Sequence, residues 1–219
     1  MCGRFTRGVE SKTIVSAFEI EAVTAATPPS YNVCPGQAVA AIAGQGPRKL
    51  GQVRWGLPFP GGSGGKRPVI NARAETLAEK PMFRRLLADR RCLIVADGFY
   101  EWRVEGGRKQ PVYIYLKDRR PFGFAALWDR PTAGATGDMP AGAIVTTQPN
   151  GLLEPIHNRM PVILPPDAIG PWLDPAIRDP DRLLALLQPY PEADMACHPV
   201  SPRVNTPQHD TPDLIEPVP

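Results

Sequence analysis

The chain has 219 residues, 42% hydrophobic and 21% charged, and a net charge of +3. That fits one globular domain over residues 1–219 that buries its core without staples; the charge alone does not declare a nucleic-acid binder, but it permits a local basic groove. No run of about 18 apolar residues suggests a membrane span, Arg4, Arg7 and Glu10 interrupt any signal-peptide core, and the scattered Cys2, Cys34, Cys92 and Cys197 with only three histidines give no zinc site. The expectation is a cytoplasmic protein with free thiols and neither metal nor cofactor.

In chain order, the first feature is Met1-Cys2. Initiator methionine is commonly removed before a small residue, which would leave Cys2 with an α-amine beside its thiol. An α-amine has a pKa near 8 against about 10.4 for lysine, so a useful fraction is nucleophilic at neutral pH. Such a 1,2-aminothiol condenses with an aldehyde and then closes a thiazolidine, the second step gaining from proximity. The other reading of Cys2 is a frayed terminus. Residues 11–20 predict a short amphipathic helix, with Ile14, Val15 and Phe18 on one face and Ser11 as its cap. Residues 24–37 read as loop, 38–43 and 50–56 as strands, and 58–67 as a glycine-rich loop too flexible to pack. A helix is predicted from Pro81 through PMFRRLLAD.

The strongest β signal is RCLIVADGFYEW at 91–102, continued by strands at 112–116, 122–128 and 143–147, with Gly106-Gly107 marking a hairpin. Helices are predicted at 166–173 and 180–188, and the tail from Asn205 reads as proline-rich and extended. The 28 prolines cut the chain into short elements. The fold class expected is α+β, mostly antiparallel β with a barrel-like or two-sheet core and a few short flanking helices.

Glu101 lies between Tyr100 and Trp102 in GFYEW. A carboxyl held among aromatics would have a raised pKa suited to proton transfer; strand alternation instead reads it as solvent-facing. His157 in EPIHNRMPVIL suits a neutral-pH proton shuttle or a turn cap. NARAET at 71–76 offers Asn71, Arg73 and Glu75 on one side of an extended segment, or a polar edge. Arg4, Arg54, Arg73, Arg84, Arg85 and Arg159 form the pool for phosphate contacts, and Trp55 and Phe59 are candidates for base stacking. Walker, GxGxxG and HExxH motifs are absent.

Taken in order, MCGRF, YNVCPGQ, WGLPFP, NARAET, RCLIVADGFYEW, FAALW, TTQPNGLLEPIHNRMPVIL and HPVSPRVN resemble the SRAP family (SOS response-associated peptidase), the abasic-site processing proteins, along essentially the whole chain. The resemblance implies binding to abasic sites in single-stranded DNA and a stable thiazolidine crosslink through Cys2. It also implies that Asn71 positions the cysteine and the sugar, Glu101 is the acid/base and His157 assists sugar-ring opening. Arg73 and Arg159 would then hold phosphates, with Arg4 behind the cysteine. A monomer, nucleoid-associated when bound to DNA, and a weak lyase side activity are expected.

The pattern departs in three places. A bacterial form of the family has a tryptophan pair where this chain has Phe59-Pro60 followed by Gly61-Gly62, so a smaller stacking wedge is expected. Cys34 replaces an alanine, and Pro81 replaces a basic residue, which shifts phosphate contacts toward Lys80, Arg84 or Arg85. Two other functions use the same residues: a peptidase or autoprotease with Cys2 as nucleophile and His157 as base, and a non-catalytic single-strand binder.

Overall fold

A computed structural model describes residues 2–44, 47–59, 67–130 and 138–218. Fourteen strands and four short helices are present among them. In chain order these are β1 (Phe5–Arg7), α1 (Ser11–Ala17), β2 (Ile20–Val23), β3 (Ser30–Val33), β4 (Ala38–Ala43), β5 (Arg48–Trp55) and β6 (Asn71–Arg73). Then come α2 (Pro81–Asp89), β7 (Arg91–Ala96), β8 (Gly98–Glu105), β9 (Arg108–Leu116), β10 (Phe122–Asp129) and β11 (Ala141–Thr147). The last are β12 (Met160–Pro161), β13 (Ile163–Leu164), α3 (Pro166–Leu173), α4 (Pro180–Leu184) and β14 (Met195–Pro199).

One sheet runs β14-β9-β8-β1-β3; the other runs β12-β11-β10-β7-β4-β5-β2, with β6 on β11 and β13 on β10. A parallel pairing of Ala141 and Gly142 on β11 with Arg54 and Trp55 on β5 closes β5-β4-β7-β10-β11 into a barrel-like ring. The α+β, mostly antiparallel class read from the sequence is what the structure shows.

Strand β7 explains why its sequence is continuously apolar: it is buried on both faces. Leu93 and Val95 join Phe83, Leu86 and Leu87 of α2 and Trp172 of α3. Cys92, Ile94 and Ala96 join Phe5, Phe99, Ile114 and Phe124 between the sheets. The β8–β9 hairpin turns at Gly106-Gly107, both with positive φ (55° and 78°), the requirement of a two-residue type I′ loop. At Gly98 a side chain is excluded sterically: a Cβ would lie 2.2 Å from the Tyr113 hydroxyl.

Arg91, only 6% exposed, ties the helices to this framework. Its guanidinium donates to the carbonyls of Trp172 (2.6 Å), Leu87 (2.5 Å), Ala88 (2.7 Å), Asp174 and Ile177 (3.0 Å). A lysine ammonium is a compact charge that cannot span five carbonyls on three segments. Arg91→Lys is expected to cost on the order of 3 kcal/mol, because buried acceptors lose their donors. In a thermal melt that is a fall of about 6–12 °C for a chain of this size.

The elements depart from the sequence reading in four places. The first helix stops at Ala17, because Glu19 takes a positive φ (51°) and turns the chain into β2. Ser11 does not cap it: Glu10 is the N-cap, and the Ser11 hydroxyl lies 3.2 Å from that of Thr27. The segment read as loop over 24–37 contains β3, and the helix read over 180–188 ends at Leu184. The tail is not extended. It forms 3-10 turns at Pro202–Asn205 and Pro212–Ile215 and packs Val200, Val204 and Leu214 on Tyr100 and Tyr113. No helix among the described residues is long and apolar enough to cross a membrane.

Candidate functional site

The site forms where the start of the first sheet meets β6 and β11 of the second. β1 lies antiparallel to β8 with Phe5 opposite Phe99, and the Tyr100 amide donates to the Arg4 carbonyl at 3.0 Å. The segment before β1 therefore runs alongside residues 100–102. Cys2 is fully buried there and is not frayed. Its carbonyl accepts from Asn71 Nδ2 at 2.9 Å, so a β6 side chain anchors the N-terminal segment across the two sheets. Asn71 is itself held by the parallel pairing of β6 on β11, opposite Ile144. Its Oδ1 is buried without a hydrogen-bond partner.

Glu101 shares the interior face of β8 with Phe99 and is 3% exposed, which overturns the solvent-facing reading. Alternation misleads because both faces of β8 are covered: Phe99 packs into the inter-sheet core, and Tyr100 packs under the C-terminal tail. Tyr100 and Trp102 point to the opposite face, so burial rather than an aromatic sandwich raises the Glu101 pKa to about 7, with the positive N-terminus opposing the rise. Burial, and then the negative Glu101, push the Cys2 thiol far above its ordinary range. The thiol is held protonated, unlike the thiolates of activated cysteine nucleophiles.

His157 follows a turn nailed down at its start by Asn150, a residue the sequence reading missed. Asn150 accepts from the Leu153 amide at 3.1 Å and donates to the Tyr190 carbonyl at 2.7 Å. The His157 amide closes the turn onto the Leu153 carbonyl at 2.8 Å. The Arg159 amide donates to His157 Nδ1 at 3.0 Å. An amide can only donate, so where this contact is made Nδ1 is the acceptor and the proton of the neutral ring sits on Nε2. The Arg159 carbonyl, 3.2 Å from the same nitrogen, would accept from the opposite tautomer. Burial is the main cause that lowers the imidazole pKa, which keeps the ring neutral.

The arginines divide. Arg73 is exposed at the end of β6, and Arg84 is exposed on α2. Arg85 is engaged with Asp129. Arg4 anchors the tail: its Nη1 donates to Asn32 Oδ1 (2.6 Å) and the Val204 carbonyl (2.5 Å). The fork of Arg159, expected to hold a phosphate, holds the Glu75 carboxylate here at 2.8 and 2.9 Å. Trp55 is corrected from a stacking residue to a core one: it is fully buried, packs 5.0 Å from Phe5 and donates to the Ile70 carbonyl at 3.0 Å. Phe59 is 42% exposed. The expected wedge and its loop fall mainly on residues 60–66, which lie outside the described residues. Among the described residues no three His, Cys, Asp or Glu side chains are grouped to hold a metal. A cleft of about 360 Å³, lined by Ala74, Glu75, Thr147, Gln148 and Leu187, opens beside the Glu75 carboxylate.

Comparison with known proteins identifies the family. The family model described as SOS response associated peptidase (SRAP) matches residues 1–207. The chain is 44% identical to "Abasic site processing protein YoqW" of Bacillus subtilis, over 99% of each chain. It is 34% identical to "Abasic site processing protein YedK" of Escherichia coli, over 100% of each. A crystal structure of a protein from Bacteroides thetaiotaomicron superposes with a TM-score of 0.85 at 25% identity, covering 99% of this chain and 100% of that one. The chain belongs to the SRAP family.

Proposed function

We propose that this chain, acting as one domain and as a cytoplasmic monomer, captures abasic sites in single-stranded DNA as a covalent thiazolidine adduct of Cys2. The observation that carries the reading is the convergence on Cys2: a buried thiol, a carbonyl held by Asn71, and a buried carboxyl poised near neutrality at Glu101. The relatives' names supply the lesion.

The chemistry follows from the groups present. An abasic sugar is a hemiacetal in equilibrium with a little open aldehyde. His157, neutral and with its proton on Nε2, donates it to the ring oxygen as the C1′–O bond breaks, while the anomeric hydroxyl gives its proton to water, from which the imidazole is reprotonated. Removal of Met1 places an α-ammonium on Cys2, beside Glu101. Ionised Glu101 takes a proton from it, and the free amine attacks C1′. The protonated carboxyl then returns that proton to the carbinolamine hydroxyl, which leaves as water. The Cys2 sulfur adds to the resulting iminium carbon, and the thiol proton passes to solvent as the ring nitrogen becomes neutral. The aldehyde is now masked, which blocks β-elimination of the strand; elimination from the imine stage is the expected lyase side reaction. The amine is the first nucleophile because burial keeps the thiol protonated. The same fact argues against the peptidase reading, which needs a thiolate activated by His157.

The test is a denaturing gel of the protein with one oligonucleotide, intact or carrying a single abasic site. A heat-stable shifted band with the abasic strand alone is expected. Equal binding of both strands with no covalent band would leave only a single-strand binder. For the phosphate contacts, Arg73 is the candidate exposed at the site's rim. Arg73→Ala is expected to lower the slope of log affinity against log salt by about 0.7, one contact on a single strand. A titration with intact strand at several salt concentrations measures it; an unchanged slope removes Arg73 from the phosphate face.

A further inference from the structure

Arg159 makes a closed arrangement that the covalent chemistry does not itself require. Both its terminal nitrogens hold Glu75, at 2.8 and 2.9 Å, and Nη2 also donates to the Thr146 carbonyl at 2.6 Å. Its side chain is 13% exposed, so the fork is set into the protein rather than extended from it. A bidentate arginine–carboxylate pair is the geometry an arginine offers a phosphate, and here the protein supplies the anion. The hydrogen bonds from Arg159 hold the Glu75 carboxyl below its usual range, so it stays charged.

The same residue carries the amide that sets the His157 tautomer. Pairing of β12 with β11 begins at Met160, opposite Thr147, so residue 159 is the first position before the ladder. Its side chain is clamped to the Glu75 carboxylate and the Thr146 carbonyl. We propose that Glu75 is a positioning residue: by gripping the Arg159 guanidinium it fixes the amide that keeps the His157 proton on Nε2, facing the opening sugar. This rests on the role given to His157 above. The competing role, in which Glu75 merely occupies a phosphate seat, is separated by the experiment; the Thr146 carbonyl, which also accepts from the fork, ties it to β11 beside the 159–157 contact.

The experiment uses the full-length protein labelled with 15N-histidine, with the His157 signals assigned by their loss in His157→Gln. Imidazole 15N shifts are recorded without DNA for wild type, Glu75→Gln and Glu75→Ala, beside single-turnover crosslinking rates and affinity for an intact strand. Wild type should show an unprotonated Nδ1 and a protonated Nε2. Glu75→Ala should show mixed tautomers and a crosslinking rate lower by about tenfold, part of the roughly 10²–10⁴ a general acid or base contributes. Glu75→Gln, which keeps one acceptor, should lie between them, and intact-strand affinity should hold. Tighter intact-strand binding in Glu75→Gln, with tautomer and rate unchanged, would overturn the proposal in favour of a phosphate competitor. No change in tautomer or rate in either variant would also overturn it. Absence of any crosslink in wild type would instead overturn the proposed function, and the imidazole shifts would still decide whether Glu75 sets the tautomer.

Discussion

Cys2→Ala is expected to lose the heat-stable DNA adduct completely while still binding an intact single strand. The variant keeps an α-amine, so it can still form an imine with the open sugar, but it has no sulfur to close the ring. The imine hydrolyses, and it persists through denaturation only after borohydride reduction. Cys2→Ser should behave in the same way, trapped by reduction and otherwise reversible. The thiol is buried in the inter-sheet core, and the alanine cavity is small, so the loss should not come from unfolding. A melt of each variant checks that. A heat-stable adduct with Cys2→Ala on a denaturing gel would end the thiazolidine mechanism.

Glu101→Gln is expected to slow single-turnover crosslinking by about 10²–10⁴, the usual contribution of a general acid or base. Affinity for the intact strand should fall far less; equal losses would make Glu101 structural. The pH dependence carries a sign. Glu101 has to start ionised to take the proton of the ammonium, so the wild-type rate should fall as pH drops through about 7. The variant should keep only the limb of the α-amine, near 8. Stability runs the other way. The folded pKa lies above the unfolded one, so the contribution of Glu101 is fully present below its unfolded value of 4.5 and is lost as pH rises through about 7. Above pH 7 the variant should therefore melt higher relative to wild type than it does at pH 4.5, and a set of melts across that range measures it.

Local features made much of the fold legible. Pro81 in a first turn announced α2, Gly106-Gly107 announced the hairpin, and the apolar run after Arg91 announced β7 as a strand. The tail was illegible because its shape is imposed from far away. Asn32 donates to the carbonyls of Thr206 and His209, and the Tyr100 and Tyr113 rings supply the surface on which it folds. Distance also hid the environment of Glu101, which is buried on the inter-sheet face of β8, where β1 pairs with that strand. In the site, the sequence singles out Cys2 by its chemistry and Asn71 by its motif, and the fold brings the two into contact. The pairing of Arg159 with Glu75 was not legible, since 84 residues separate them. Free-standing, Arg159 looked like a phosphate ligand; only the fold shows that its anion is already present. Trp55 failed for the opposite reason: its ring lies on the inward face of β5, at the point where β11 closes the barrel-like ring.

The most direct test of the central claim is the intact mass of the wild-type adduct with an abasic single strand. Amine–aldehyde condensation expels one water, and ring closure expels nothing further. The expected mass is therefore that of the protein without Met1 plus the oligonucleotide less one water, stable to heat without any reductant, with digestion placing the modification on Cys2. An adduct that retains Met1, that maps to a lysine, or that appears only after borohydride would contradict the account.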